Sequence, residues 1–250
     1  MSKLDIGSRE LFYTCSGTGI PTVVIESGMG DTSESWSHIQ SAVSQYTRVL
    51  TYDRAGMGQS DIPPRPRTCQ DMVDDLTALL AGAQIPPPYI LVGHSFGGLL
   101  VRLFASLHPE QTAGMVLVDA SHEDRTEGFE KVLSNELIAR NRAYLLDPAK
   151  NSEFVDRIPS EQQVKGAQRL FDFPLIVLTR GLPDEPDPVW PSAELQRVEF
   201  ELQREFLKLS PMSSQVIAEQ SGHEVQKDQP ELVIESIKKM IGNSLPYKYG

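Results

Sequence analysis

One stretch constrains the fold more than any other. Residues 88–101 read as a short apolar strand (Tyr89 to Val92), a sharp turn, and a helix that continues through Leu99, Leu100 and Val101. The turn carries G-x-S-x-G, from Gly93 to Gly97. A serine at the tip of such a strand-to-helix turn has its hydroxyl lifted clear of the backbone. The N-terminal end of the following helix then faces any negative charge that develops beside it. Gly93 and Gly97 fit this geometry because a Cβ at either would collide with the adjoining strand or helix. Ser95 is therefore a candidate nucleophile.

The rest of the chain supplies a matching frame. Thr22–Glu26, Arg48–Tyr52, Gly114–Val118, Phe173–Thr179 and Gln215–Ala218 are short apolar runs of strand length. The continuous β-branched run Thr22–Glu26 is that of a strand buried on both faces, and Gly114–Val118 reads as another buried strand. Between them lie helical patterns. Met72, Val73, Leu76, Leu79 and Leu80 form a stripe after the N-cap candidate Thr68, and Leu195, Val198, Leu202, Phe206 and Leu209 form another. Lys3–Ile6 and Glu10–Thr14 flank Gly7-Ser8 and read as an antiparallel hairpin. Pro230 fits the first position of a final helix that runs to about Ile241. Alternating strands and helices predict an α/β fold: a mainly parallel sheet with helices on both faces.

Residues 120–172 break the rhythm. Phe129, Val132, Leu133, Leu137, Ile138 and Leu145 recur at roughly helical spacing, and Ser160 with Gln163 reads as a capping box opening a second helix. With no strand pattern present, this segment is expected to be a small helical cap inserted after the sixth strand. The core is then 1–119 plus 173–250.

In parallel sheets, ligands bind at the carboxyl ends of the strands. Ser27-Gly28-Met29, Ser95, Asp119, Asp184 and His223 all follow predicted strands. A serine nucleophile needs a base within hydrogen-bond reach, and the base needs an orienting acid. Of the five histidines, His38 lies on the first helix, His94 sits within the turn itself and points away from Ser95, and His108 ends a helix. His122, three residues past the sixth strand, is a secondary candidate; His223, in Ser-Gly-His after the last strand, is the expected base. Asp119 and Asp184 each give the order Ser…Asp…His. Backbone N–H groups of Met29 and Phe96 are the expected oxyanion donors. Gly28, Trp36 and Trp190 are candidate pocket residues.

Composition narrows the partners. Among 250 residues, 23 basic against 34 acidic side chains give a net charge of −11, which argues against nucleic acid or an anionic membrane as partner. Two distant cysteines, Cys15 and Cys69, are read as reduced thiols, and no metal-ligand spacing is present. Residues 1–6 are polar and carry no signal-peptide pattern, and no apolar run has membrane-helix length. A cytoplasmic protein without metal or cofactor is expected; the oligomeric state is not encoded in any visible pattern.

Gly93-His94-Ser95-Phe96-Gly97-Gly98, Tyr52-Asp53-Arg54-Ala55-Gly56-Met57-Gly58-Gln59-Ser60 and Ser221-Gly222-His223, in this order, resemble the α/β-hydrolase fold superfamily. The resemblance implies an eight-stranded sheet, a cap after the sixth strand and a Ser-His-acid triad. The chain departs from the common pattern at Ser27-Gly28, where many members have His-Gly. Members carry the acid after either the sixth or the seventh strand. Val116–His122 with Thr179-Arg180-Gly181 is similar to the first kind, so the resemblance favours Asp119, with Asp184 as the alternative. A serine at position 95 separates the chain from branches with an aspartate nucleophile. The implied activity is cleavage of a small, partly apolar carboxylic ester or lactone through an acyl-enzyme. A small-molecule receptor with slow turnover, or a peptidase or perhydrolase on the same scaffold, are the alternatives.

Overall fold

A computed structural model describes residues 2–244; Met1 and the last six positions of the 173–250 segment lie outside the described residues. Eight strands form one sheet: β1 (Ser2–Asp5), β2 (Glu10–Ser16), β3 (Thr22–Glu26), β4 (Val49–Tyr52), β5 (Tyr89–His94), β6 (Thr112–Val118), β7 (Leu175–Arg180) and β8 (Ser213–Ala218). Their order is β1-β2-β4-β3-β5-β6-β7-β8. The pairs β1/β2 and β2/β4 are antiparallel, and the rest are parallel. The predicted hairpin, sheet and strand count are all present.

The helices are α1 (Ser37–Val43), α2 (Cys69–Gly82), α3 (Gly97–Leu107), α4 (Arg125–Glu130), α5 (Asn135–Leu145), α6 (Arg157–Ala167), α7 (Ser192–Glu205), α8 (Val225–Asp228) and α9 (Pro230–Ser244). At the start of α2, the carboxylate of Asp71 accepts from the backbone N–H and the hydroxyl of Thr68, satisfying a free donor at the helix end. None of the described helices is long and apolar enough to cross a membrane.

Strand periodicity divides the core into two layers. Along β3, Val24 joins one apolar cluster while Val23 and Ile25 join the other; along β6, Met115 and Leu117 oppose Val116 and Val118. The first layer is covered by residues of α2, α3 and α6 such as Leu76, Phe104 and Val164, and the second by residues of α1 and α9 such as Ile39, Val43, Val233 and Ile237. Burial of both faces explains the continuous apolar runs.

The segment 120–172 is helical, but it does not sit apart from the sheet. Val155, Val164 and Phe171 are buried within the first core cluster. Residues 154–156 are laced to the loop before α2 by Arg67 N–H donating to Phe154 O at 3.0 Å and Asp156 N–H donating to Arg67 O at 2.7 Å. The expected start of a helix at Ser160 is corrected: α6 begins at Arg157. Ser160 lies inside it, where its hydroxyl donates to Asp156 O at 2.7 Å rather than capping an end. Gln163 Oε1 instead accepts from Gln70 N–H at 3.0 Å, joining α6 to α2.

Candidate active site

The turn at Ser95 is held in the conformation its sequence predicts. Ser95 has φ +50°, in the left-handed region that costs a non-glycine residue roughly 1–2 kcal/mol. The surroundings impose it: Ser95 N–H donates to Val118 O on β6 at 3.2 Å, and Ser95 O accepts from Gly98 N–H at 2.9 Å and Ser121 N–H at 2.8 Å. A Cβ at Gly97 would lie 2.5 Å from Glu26 O and 2.6 Å from Ser27 O. A Cβ at Gly93 would lie 2.7 Å from Gly97 O. These close approaches bring β3, β5 and the start of α3 together beneath the serine.

Ser95 Oγ is 2.9 Å from His223 Nε2, and His223 Nδ1 is 2.6 Å from Asp119 Oδ2. An ionised carboxylate only accepts, so Nδ1 carries the proton and Nε2 is free to accept from the serine hydroxyl. Asp119 is buried at the end of β6, with φ +39° and its N–H donating to Leu178 O at 2.7 Å. Its Oδ1 accepts from Arg180 N–H at 3.2 Å, and its Oδ2 also meets Arg180 Nε at 3.2 Å. Three donors on two neighbouring elements therefore fix the orientation of this carboxylate.

Asp184, the alternative acid, does not reach the histidine. Its side chain is 58% exposed and is paired with the Arg180 guanidinium. Of the other histidines, His122 is buried against Phe206, its ring 4.8 Å away, and its Nδ1 accepts from Asp124 N–H at 3.0 Å. Burial pushes the His122 imidazole down to about 4. His94 does turn away from the Ser95 hydroxyl. Its Nε2 donates to His223 O at 2.9 Å, which leaves Nδ1 to accept from Gln226 Nε2 at 3.3 Å. Burial first, and then the adjacent His223 ring, push His94 down to about 4, so the ring is neutral near neutral pH. Sequence reasoning gave His94 no task; it anchors the main chain that carries His223.

Met29 and Phe96 line the same cavity as Ser95 and His223. Among the described residues no acceptor takes the N–H of either. The loop carrying Met29 is fastened from the 120–172 segment: Glu153 Oε1 accepts from Gly30 N–H at 2.7 Å. Glu153 also receives Arg54 Nε at 2.8 Å and Arg54 Nη2 at 2.6 Å. Arg54 in turn donates to Ser27 O at 2.7 Å, Gly28 O at 2.6 Å and Glu26 Oε2 at 2.9 Å. Burial works against ionisation of Glu153, but Arg54 and the Gly30 N–H together bring its pKa below the ordinary carboxylate value. Sequence reasoning missed this network because Glu153 is 99 residues from Arg54.

The cavity measures about 240 Å³. Two expected wall residues are elsewhere. Trp36 is fully buried with Ile39 and Val43 in the second core layer, and spacings of three and seven residues put all three on one helical face. Trp190 lies outside the cavity lining. Asp187 Oδ1 accepts the N–H groups of Val189 and Trp190, and Trp190 packs beside Arg140 of α5, whose guanidinium carbon is 5.7 Å from the ring centroid. Gly28 lies just behind the wall, where a Cβ would stand 2.8 Å from His94 Nδ1 and 3.5 Å from Ser95 Cβ. The lining includes Arg125, Arg157, Arg180 and Glu199, none of them anticipated. The described residues contain no group of three or more His, Cys, Asp or Glu that could hold a metal ion.

Comparison with known proteins bears on the fold. Residues 21–179 match the family model for the alpha/beta hydrolase fold. The chain is 30% identical over 218 residues to the uncharacterized protein YqjL of Bacillus subtilis, covering 87% of this chain and 82% of that one. It is 41% identical over 128 residues to a probable transporter, efuK, of Hormonema carpetanum, spanning 48% of this chain and only 18% of that protein's length. Among solved structures, an esterase from Thermogutta terrifontis superposes with a TM-score of 0.65 at 22% identity, covering 98% of this chain and 99% of that one. From the sheet order, the turn at Ser95 and the family match together, the chain belongs to the α/β-hydrolase fold family.

Proposed function

We propose that the chain is a serine hydrolase that cleaves a carboxylic ester or lactone of a small molecule through an acyl-enzyme. The observation that carries this reading is the continuous hydrogen-bonded chain from Ser95 through His223 to Asp119. His223 Nε2 takes the Ser95 proton as Oγ adds to the substrate carbonyl. Negative charge moves to the carbonyl oxygen, where the unengaged N–H groups of Met29 and Phe96 receive it. The carbon–oxygen bond to the leaving group then breaks, and His223 Nε2–H protonates the departing alkoxide. Water enters, gives its proton to His223 and adds to the acyl carbon. Ser95 Oγ leaves and is reprotonated, releasing the carboxylic acid. Asp119 remains ionised throughout and stabilises the imidazolium.

The esterase named for the Thermogutta structure fits this reading, and the size of the cavity favours a small substrate over a polymer. The test is a panel of short-chain esters, lactones and aminoacyl amides, with Ser95→Ala as the reference. Ser95-dependent release from esters or lactones is expected. Amide cleavage alone, or ester turnover that persists in Ser95→Ala, would overturn the reading.

A further inference from the structure

The charges that line the cavity are unequally paired. Arg125 Nε donates to Glu199 Oε1 at 2.6 Å. Arg180 lies between Asp119 and Asp184. Arg157 is paired more loosely. Its Nη2 stands 3.5 Å from Glu161 Oε1, the longest of these pairs, while Glu161 Oε2 accepts from Thr126 Oγ1 at 2.8 Å. Arg157 Nε is buried and has no acceptor among the described residues. Its side chain is only 12% exposed, so bulk water compensates it poorly. Burial, and then the neighbouring Arg125 cation, push the guanidinium below its ordinary pKa. The guanidinium carbon lies 5.7 Å from the ring centroid of Phe96, the residue next to Ser95.

Such a cation in a substrate cavity is a ready donor site for an anion. A guanidinium presents a planar fork of donors that matches a carboxylate, and charge-assisted hydrogen bonds of this kind are roughly twice as strong as neutral ones. A monoanion fits better than a dianion. Arg157, held only loosely by Glu161, can take one negative charge, while the carboxylates of Asp119, Asp184 and Glu199 in the same lining would repel a second.

We infer that Arg157 binds a free carboxylate on the substrate, so that the preferred substrates are acid esters, such as the monoesters of dicarboxylic acids, rather than neutral ones. This rests on the ester-hydrolase reading above and names the substrate class for that site. Arg157 acts here as a specificity-determining residue, and hydrolysis yields the free diacid and an alcohol.

Binding to the Ser95→Ala protein tests the inference without requiring turnover. Dissociation constants are measured by calorimetry or ligand-detected NMR for the monoethyl esters of the four- to eight-carbon straight-chain diacids and for the corresponding diethyl esters. At one chain length or more, the acid ester is expected to bind at least tenfold tighter than its diester, a difference of about 1.4 kcal/mol. In Ser95→Ala/Arg157→Met this ratio should collapse to within twofold, and Arg157→Lys should restore part of it. Glu161→Gln removes the competing carboxylate and should raise the ratio; it decides the matter if Arg157→Met lacks a cooperative thermal transition. Absence of a tenfold preference at every chain length, or a preference that survives Arg157→Met, would overturn the inference. The hydrolase reading is scored separately, by Ser95-dependent ethanol release from the wild-type protein. A carboxylate preference without turnover would sink that reading and leave the carboxylate site standing, and turnover without preference would do the reverse.

Discussion

Replacing Asp119 by Asn separates an orienting acid from a buried strand terminator. Asp119 Oδ2 takes both His223 Nδ1 at 2.6 Å and Arg180 Nε at 3.2 Å, and Oδ1 takes Arg180 N–H at 3.2 Å. All three partners are donors, so the amide nitrogen of Asn opposes a donor in either orientation. If it faces Arg180 N–H, the bond to His223 survives but the charge that stabilises the imidazolium is gone. If it faces His223, the ring adopts the other tautomer and Nε2 can no longer accept the Ser95 proton. Amidating the acid of a Ser-His-Asp triad lowers kcat by about 10⁴-fold, or about 5.4 kcal/mol of barrier, and that loss is expected here. The opposed buried donors should also cost about 1–3 kcal/mol of stability, lowering Tm by roughly 2–12 °C for a chain of this size. Asp184→Asn is the matched control: its side chain is 58% exposed and contacts Arg180 rather than His223. An ion pair at such a site is worth about 0–1 kcal/mol, so kcat should fall by less than about fivefold. Steady-state hydrolysis of a p-nitrophenyl ester, run below both thermal transitions, reads the contrast. A large loss in Asp184→Asn with near-normal turnover in Asp119→Asn would refute the assignment.

Two further outcomes follow from the surroundings of the site. Glu153→Gln removes one of the two carboxylates that hold Arg54 and weakens the acceptor for Gly30 N–H; a loss of about 1–3 kcal/mol in denaturant unfolding is expected for weakening these buried charge-assisted hydrogen bonds, with slower acylation as the Met29 loop loosens. His94 and His122 fall from 6.5 to about 4 on folding. Between those values the unfolded chain holds protons that the folded chain does not, so stability is full above about pH 6.5 and declines as pH drops toward 4, by roughly 1.4 kcal/mol per pH unit for each ring. Urea unfolding followed from pH 7 to 4.5 should show that slope, and His122→Phe should make it shallower; an unchanged slope would contradict a neutral buried His122.

The parts of the site readable from sequence are those that local chain chemistry dictates. Gly93 and Gly97 around Ser95 encode a strand-to-helix turn within five residues, although the backbone that forbids a Cβ at Gly97 is that of Glu26 and Ser27, distant in sequence. His223 was legible because it follows the last strand at the edge where the other candidates converge. Asp119 and Asp184 both follow a strand in sequence, and the resemblance favours Asp119 without placing either side chain. What separates them is the path of the loop after β7, where Gly181 and Leu182 donate to Ser221 O and Asp184 stays in solvent beside Arg180. Trp36 carried a readable signal of its own: with Ile39 and Val43 it forms one helical face, the mark of core and not of a cavity wall. Arg157, Glu199 and Glu153 gave no local sign, because their meaning arises from partners brought together by the fold.

The most direct measurement of the central claim is covalent labelling by a fluorophosphonate, mapped by peptide mass spectrometry. One adduct per chain is expected, on Ser95, formed slowly in His223→Ala and absent in Ser95→Ala. An adduct on another residue, or ester turnover by a protein whose Ser95 stays unlabelled, would contradict the account.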